Sequence, residues 1–530
     1  MTDPGTSERD LAAPLLPPPD ERLTRYGQLR DGILRSPDWG RTIGWFAPLI
    51  VTMLAAVLRL VNLGHPHELA FDETYYVKDA WSLWSLGYEG TWGENANAAF
   101  VSGQQLPLDP AGAFVVHPPL GKWLIALGMS IGGPSNSVGW RLVTALLGTV
   151  TVLLTYLIAR KLSGSIVVAT IAGALLAIDG LSIVLSRIAL LDGILTFFIM
   201  LGVLFILYDR ERAIPLLESA REDEPDRLYE RALWGPVLWR RPWLIAAGLA
   251  IGAACAVKWS GLYVLAAFGL YLVVTDALAR RRARVVLWPT SAAFRQGPVS
   301  FVLLVAPAFA VYLASWTGWL VTSGGYDRNL DPNPIVALAQ YHQAILNFHV
   351  GLSSGHPYQS PAWEWPLLLR PTAVWVGDDP TGCGVDHCIA VITSIPNPLI
   401  WYAGVAATIY LLYRVVRAWI ARTAIEPALT YPLVGLAATY LPWLMIPGRT
   451  IFEFYTVAMM PFLVLGLAMT LRVIAGRRED PLYRRQSGER TVIVFLVFAV
   501  LVSAFFYPLW IGMSVPYDFW LLHNWIRGWV

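Results

Sequence analysis

Charge is what this sequence has least of. Only 14% of its 530 residues are Asp, Glu, Lys or Arg, against about 25% in soluble domains. With 56% hydrophobic residues and a positive mean hydropathy, a water-soluble globular fold is excluded and an integral membrane protein is implied. Cysteine is nearly absent. Three residues cannot build a disulfide framework, although Cys383 and Cys388, five apart in a stretch expected to lie outside, are candidates for one local bridge. Cys383, His387 and Cys388 together offer only three zinc ligands, so no metal site is expected there. Residues 1–42 lack the apolar core of a cleavable leader. They are polar and rich in proline (Pro14, Pro17, Pro18, Pro19) and read as a disordered cytoplasmic tail. No internal repeat is visible.

What fills the chain instead is a series of apolar runs, at about 44–62, 139–158, 165–178, 193–208, 242–257, 261–277, 299–321, 398–413, 431–446, 452–474 and 491–512. They predict an all-α polytopic membrane protein with about 11 transmembrane helices, two large outer loops and interfacial helices. The excess of Lys and Arg orients the chain, because the model leaves only ten of the 39 outside. The N-terminus is then cytoplasmic, and the C-terminal tail, 513–530, lies outside. An N-terminal membrane module, 43–321, carries the first outer loop at 63–138. The second outer loop, 322–397, precedes the C-terminal helices of 398–512. Within the first loop, 75–86 with Trp81 and Trp84 suits a helix lying in the interface, and 123–131 is too short to cross. Residues 182–192 read as an outer turn and 209–241 as a solvated linker.

Chemistry concentrates in the outer loops. Asp72 and Glu73, framed by Phe71, Tyr75 and Tyr76, stand about ten residues beyond the first run. A carboxylate held there can act as a general base or bind a cation, while Asp72 can also serve as the cap of the interfacial helix that follows. Lys122, Arg141, Arg187, Lys258 and Arg449 fall at or just inside outer ends of runs. Desolvated cations need anions, which are either protein carboxylates such as Asp192 or a lipid phosphate. His117, stiffened by Pro118 and Pro119 and close to Lys122, suits substrate or phosphate positioning or simply a chain turn. In the second loop, His356, Tyr358, Trp363 and Trp365 form either an aromatic belt or a sugar or peptide surface.

Taken together, Phe71-Asp72-Glu73, His117-Pro118-Pro119-Leu120-Gly121-Lys122, Arg141-Leu142, Lys258-Trp259-Ser260-Gly261-Leu262, His356-Pro357-Tyr358 with Trp363-Glu364-Trp365-Pro366, and Gly448-Arg449 with 452–455 resemble the protein O-mannosyltransferase family. The resemblance places the chain among C-type (GT-C) membrane glycosyltransferases in a bacterial, actinobacterial form. It implies transfer of mannose from polyprenyl phosphate mannose to Ser or Thr of proteins at the outer face, with inversion. Asp72, or else Glu73, is then the base. Lys122, Arg141, Lys258 and Arg449 hold the donor phosphate, and His117, His356, Tyr358, Trp363 and Trp365 contact substrate. The β-trefoil repeats that eukaryotic members carry in the second loop are missing here.

The expected partners are the lipid donor, unfolded or translocating acceptor proteins at the Sec translocon, and membrane lipids, with no nucleic acid. No cofactor is expected, a divalent metal being the alternative to some of the cations. The rival readings are a glycosyltransferase of the same fold acting on a lipid or cell-wall glycan, and a transporter or lipid flippase. Transporters place ionisable residues near the middle of spans, whereas these gather at one face.

Overall fold

The computed structural model describes residues 37–219, 233–378, 380–477 and 479–529. The expected tail up to residue 36 and the centre of the 209–241 linker lie outside the described residues. The chain divides into a short unit ending at Leu49 and a main unit from Ile50 onward.

The helices are α1 (Pro37–Leu60), α2 (Glu73–Leu86), α3 (Ala96–Ser102), α4 (Leu120–Gly132), α5 (Ser137–Ser163), α6 (Ile166–Ala177), α7 (Gly180–Arg187), α8 (Leu191–Ser219), α9 (Pro242–Val257) and α10 (Gly261–Arg282). After these come α11 (Trp288–Ser315), α12 (Pro334–Gly351), α13 (Pro398–Ile420), α14 (Pro427–Leu444), α15 (Met460–Ala475) and α16 (Leu482–Trp510). Their starts are written locally. Asn136, Ser165, Asp179, Asn333 and Asn397 each accept a backbone N–H of the first turn, and proline opens α9, α12, α13 and α14. Two small antiparallel sheets decorate the loop end of the bundle. One pairs β1 (Gly90–Trp92) with β2 (Leu108–Gly112), and the other orders β3 (Ala373–Val376), β4 (Cys388–Thr393) and β5 (Ser514–Pro516).

All eleven expected apolar runs are helical, but the count of eleven crossings is not confirmed. Among the described residues, six helices (α5, α8, α10, α11, α13, α16) are long and apolar enough to cross, and α6 with α7 makes a seventh if the pair is one span. Helix α9, at 16 residues, extends only about 24 Å, short of the roughly 30 Å hydrocarbon core. Helices α5 and α8 are the most buried of the six, whereas α10, α11, α13 and α16 turn apolar side chains such as Leu270, Phe301 and Leu501 outward. That apolar exterior is what lipid requires.

Two expectations are corrected. The outer turn at 182–192 is largely a buried helix, α7, bent 58° from α6. At the break Arg59 donates to the carbonyls of Leu176 and Ala177, capping α6, while Arg187 donates to the carbonyls of Leu58, Arg59, Val61 and Asn62, capping α1. Each arginine thus satisfies carbonyls that a helix end leaves without partners. The ends of the supposed solvated linker are also buried, because Asp209, Arg210 and Arg241 join Asp276 in an ion-pair network. Four charges that neutralise one another can be desolvated where one cannot.

Candidate active site

Glu73 opens α2 and is fully buried, accepting from Arg141 Nε at 2.8 Å and Nη2 at 2.7 Å and from the backbone N–H groups of Ala70 and Ala189. The remaining Arg141 donors reach the carbonyls of Leu63, Pro66 and Glu68. Both earlier assignments are therefore corrected. Glu73 has no lone pair facing a substrate, and Arg141 has no donor left for a phosphate; together they pin the 63–73 loop to α5.

Asp72 is left on the other side of this anchor. Phe71 takes a positive φ of 49° and packs edge-on against Phe452, Phe454 and His356. This strained residue turns the chain immediately before α2. Asp72 occupies the N-cap position but makes no side-chain cap, so the capping role is not the one it plays. Its carboxyl faces the Tyr76 hydroxyl one turn along and the Lys258 ammonium. Burial pushes its pKa up to about 6, outweighing the downward pull of Lys258, with Asp192 adding to the rise and the Tyr76 hydrogen bond opposing it.

The five cations separate by partner. Lys122 is buried between Glu89 and Asp79 and is corrected from phosphate ligand to structural ion pair. Arg187 caps α1. Lys258, between α9 and α10, donates to both oxygens of Asp192 at 2.8 and 3.1 Å and lies 3.9 Å over the Tyr455 ring, which holds it near Asp72. Arg449 has no carboxylate partner among the described residues. It donates from Nη2 to His349 Nδ1 at 3.0 Å, lies 5.6 Å over the Trp443 ring, and leaves its buried Nε without a partner. Behind Lys258 a pocket is lined by Asp192, Ser260, Tyr263, Thr439, Trp443 and Tyr455.

His117 stands between Tyr76 and His349, with ring centroids 6.2 and 5.5 Å away. Burial, then Lys258 and His349, hold its pKa well below the usual histidine range, so it is neutral. The floor beneath it comes from α12. Tyr341 both donates to and accepts from the Val115 backbone, and His342 joins Tyr312 and Trp259 in a hydrogen-bonded chain. Sequence reasoning missed His349 and His342. Their spacing of seven puts both on one face of a helix, which was a usable signal.

Of the aromatic residues expected at the substrate, His356 lies beside Phe71 and Tyr358 beside His356, whereas no ring contact among the described residues ties Trp363 to the site. His356 packs on Phe71 and Phe452, and Trp363 is 59% exposed. Trp365 is corrected, since it is fully buried against Tyr440, Trp443 and Tyr455 with its N–H given to the Ser360 carbonyl. Cys383 and Cys388 are joined as a disulfide, which leaves His387 stacked on Tyr517 without thiolate neighbours. Among the described residues no three His, Cys, Asp or Glu side chains are grouped as a metal site.

Comparison with known proteins shows the family to which this fold belongs. Residues 335–529 match the model for the C-terminal four-transmembrane region of protein O-mannosyltransferase, and residues 132–221 match that for dolichyl-phosphate-mannose-protein mannosyltransferase. A polyprenol-phosphate-mannose--protein mannosyltransferase of Mycolicibacterium smegmatis (strain MKD8) is 34% identical, covering 94% of this chain and 96% of its own. Its counterpart in Mycobacterium tuberculosis (strain H37Rv) is 33% identical over 92% of each, and that of Corynebacterium glutamicum 31% over 91% of this chain and 92% of its own. Among solved structures, the Saccharomyces cerevisiae Pmt1-Pmt2 complex bound to its sugar donor shares the fold, with a TM-score of 0.70, 16% identity and 92% of each chain covered.

Proposed function

The chain belongs to the protein O-mannosyltransferase family, and on that premise we propose that it moves mannose from polyprenyl phosphate mannose to Ser or Thr hydroxyls of proteins, with Asp72 as general base. The hydroxyl oxygen forms the new bond to the anomeric carbon from the face opposite the phosphate. Its proton passes to Asp72, and the breaking C–O bond leaves its electron pair on the lipid phosphate. Arg449, the cation of the five without a carboxylate or carbonyl partner among the described residues, receives that charge, with the Lys258–Asp192 pair beside the base. His117, His356, Tyr358 and Trp363 line the acceptor and sugar side.

The observation that carries the reading is the division of labour between adjacent acids. Glu73 is closed by four hydrogen bonds, whereas Asp72 faces Lys258 and the Tyr76 hydroxyl with its pKa raised to about 6. The multi-pass helices keep the site at the surface where a lipid-borne phosphate lies. The excess of cytoplasmic Lys and Arg favours the outer face of the plasma membrane, with the N-terminus inside and the C-terminus outside. Acceptors are then proteins still unfolded as they cross, met at the Sec translocon, with the surrounding membrane lipids as the other partner.

The test is transfer in isolated membranes from radiolabelled polyprenyl phosphate mannose to a Thr-rich peptide. Label in the peptide is expected, and EDTA leaves it unchanged because protein cations do the work of a metal. Label found only in an added lipid or glycan overturns the protein acceptor. The rate should also follow Asp72. Since the ionised form is the base and its pKa lies near 6, kcat/KM falls about tenfold per pH unit below that value and levels off above it. A profile flat down to pH 4.5 removes Asp72 from the role.

A further inference from the structure

Four of the five clustered cations are committed to carboxylates or carbonyls; Arg449 is held by a neutral ring. His349 Nε2 lies 2.9 Å from the Val116 carbonyl, an acceptor only, so that nitrogen carries the proton. Nδ1 is then a lone pair, and it takes the Arg449 Nη2–H at 3.0 Å. Burial and the nearby guanidinium push the His349 pKa down to about 4, which keeps the ring in this acceptor state. The ring is wedged between His117 and Trp259, at 5.5 and 5.7 Å, and is presented by α12. A carboxylate in this position would orient Arg449 but cancel its charge. An imidazole orients it and leaves the charge intact.

We propose that His349 is a positioning residue for the donor phosphate, fixing the Arg449 guanidinium at the cleft without neutralising it. The inference rests on the reading that Arg449 holds that phosphate. His349 also braces the two large loops against each other, since the Val116 carbonyl it grips precedes His117.

The test uses the full-length enzyme in detergent, with KM measured separately for polyprenyl phosphate mannose and for a peptide acceptor. His349→Leu keeps bulk but not the acceptor atom, and is expected to raise donor KM about tenfold while acceptor KM stays within about twofold. His349→Asn places an oxygen where Nδ1 stood and should recover donor KM to within about threefold of wild type. Arg449→Ala raises donor KM further, and adding His349→Leu to it changes little, because coupled residues are not additive. Thermal unfolding of each variant separates a packing defect from a positioning one. If Arg449→Ala leaves donor KM unchanged, Arg449 is not the phosphate ligand, and both readings fall. If Arg449→Ala is defective but His349→Leu adds its full effect to it, or if Asn is no better than Leu, the His349 inference alone is overturned.

Discussion

Asp72→Asn is expected to slow mannose transfer to peptide by about a hundredfold or more while donor KM stays within about threefold. The substitution keeps the shape and one acceptor oxygen but cannot take a proton. A hundredfold loss corresponds to about 2.7 kcal/mol of transition-state stabilisation, the lower end of what a positioned base supplies. Folding should not be the reason for the loss. Asp72 makes no side-chain cap on α2, so no hydrogen bond of the helix start is given up. Burial raises its pKa from 3.8 to about 6, so the folded state favours the protonated carboxyl. The resulting destabilisation is absent below the unfolded value, grows between the two values and is complete above about 6. At pH 7 the variant should therefore unfold at the same temperature as wild type or higher, a separation of stability from activity that marks a functional residue. A loss below tenfold, or one matched by a lower unfolding temperature, would show that another group takes the proton.

Asp72 and Glu73 also show how far the sequence could be read. The pair was legible as candidate chemistry because two adjacent acids follow an apolar run, with a helix cap as the structural alternative. Their division of labour was not, because it depends on a turn at Phe71 and on Arg141, 68 residues further along. The same holds for the cations. Lys122, Arg141 and Lys258 look alike in a linear chain, and only the fold brings Glu89, Glu73 and Asp192 to them. Helical runs were legible from apolarity, but apolarity alone does not fix the number of crossings, because helices in the bundle interior can be too short to span. Arg187 disguised a bent, buried segment as a turn, since a charge that caps another helix looks in sequence like one that faces water. Trp365 was misread for the converse reason. Tryptophan near a surface loop suggests a platform, yet its N–H found a carbonyl inside.

The largest effect on stability should come from Arg141→Ala, at about 3–5 kcal/mol. The guanidinium is fully buried and supplies two of the four hydrogen bonds to Glu73 as well as those to the carbonyls of Leu63, Pro66 and Glu68. Removing it strands an ionised carboxylate and three polar carbonyls in a space that the alanine does not fill. Arg141→Lys should rescue little, because a single ammonium cannot reproduce the planar fork that meets Glu73 with two N–H groups. Replacing both partners at once, as Arg141→Met with Glu73→Leu, should cost less than Arg141→Ala alone, since no charge is then left behind. Chemical unfolding in detergent, followed by tryptophan fluorescence, measures all three. Activity of the double variant is the decisive readout. If the pair only anchors the 63–73 loop, a double variant that folds retains donor KM near wild type. If donor KM rises sharply in a stably folded double variant, or if Arg141→Ala proves stable and fails only in donor binding, Arg141 returns to the phosphate site and the anchor model fails.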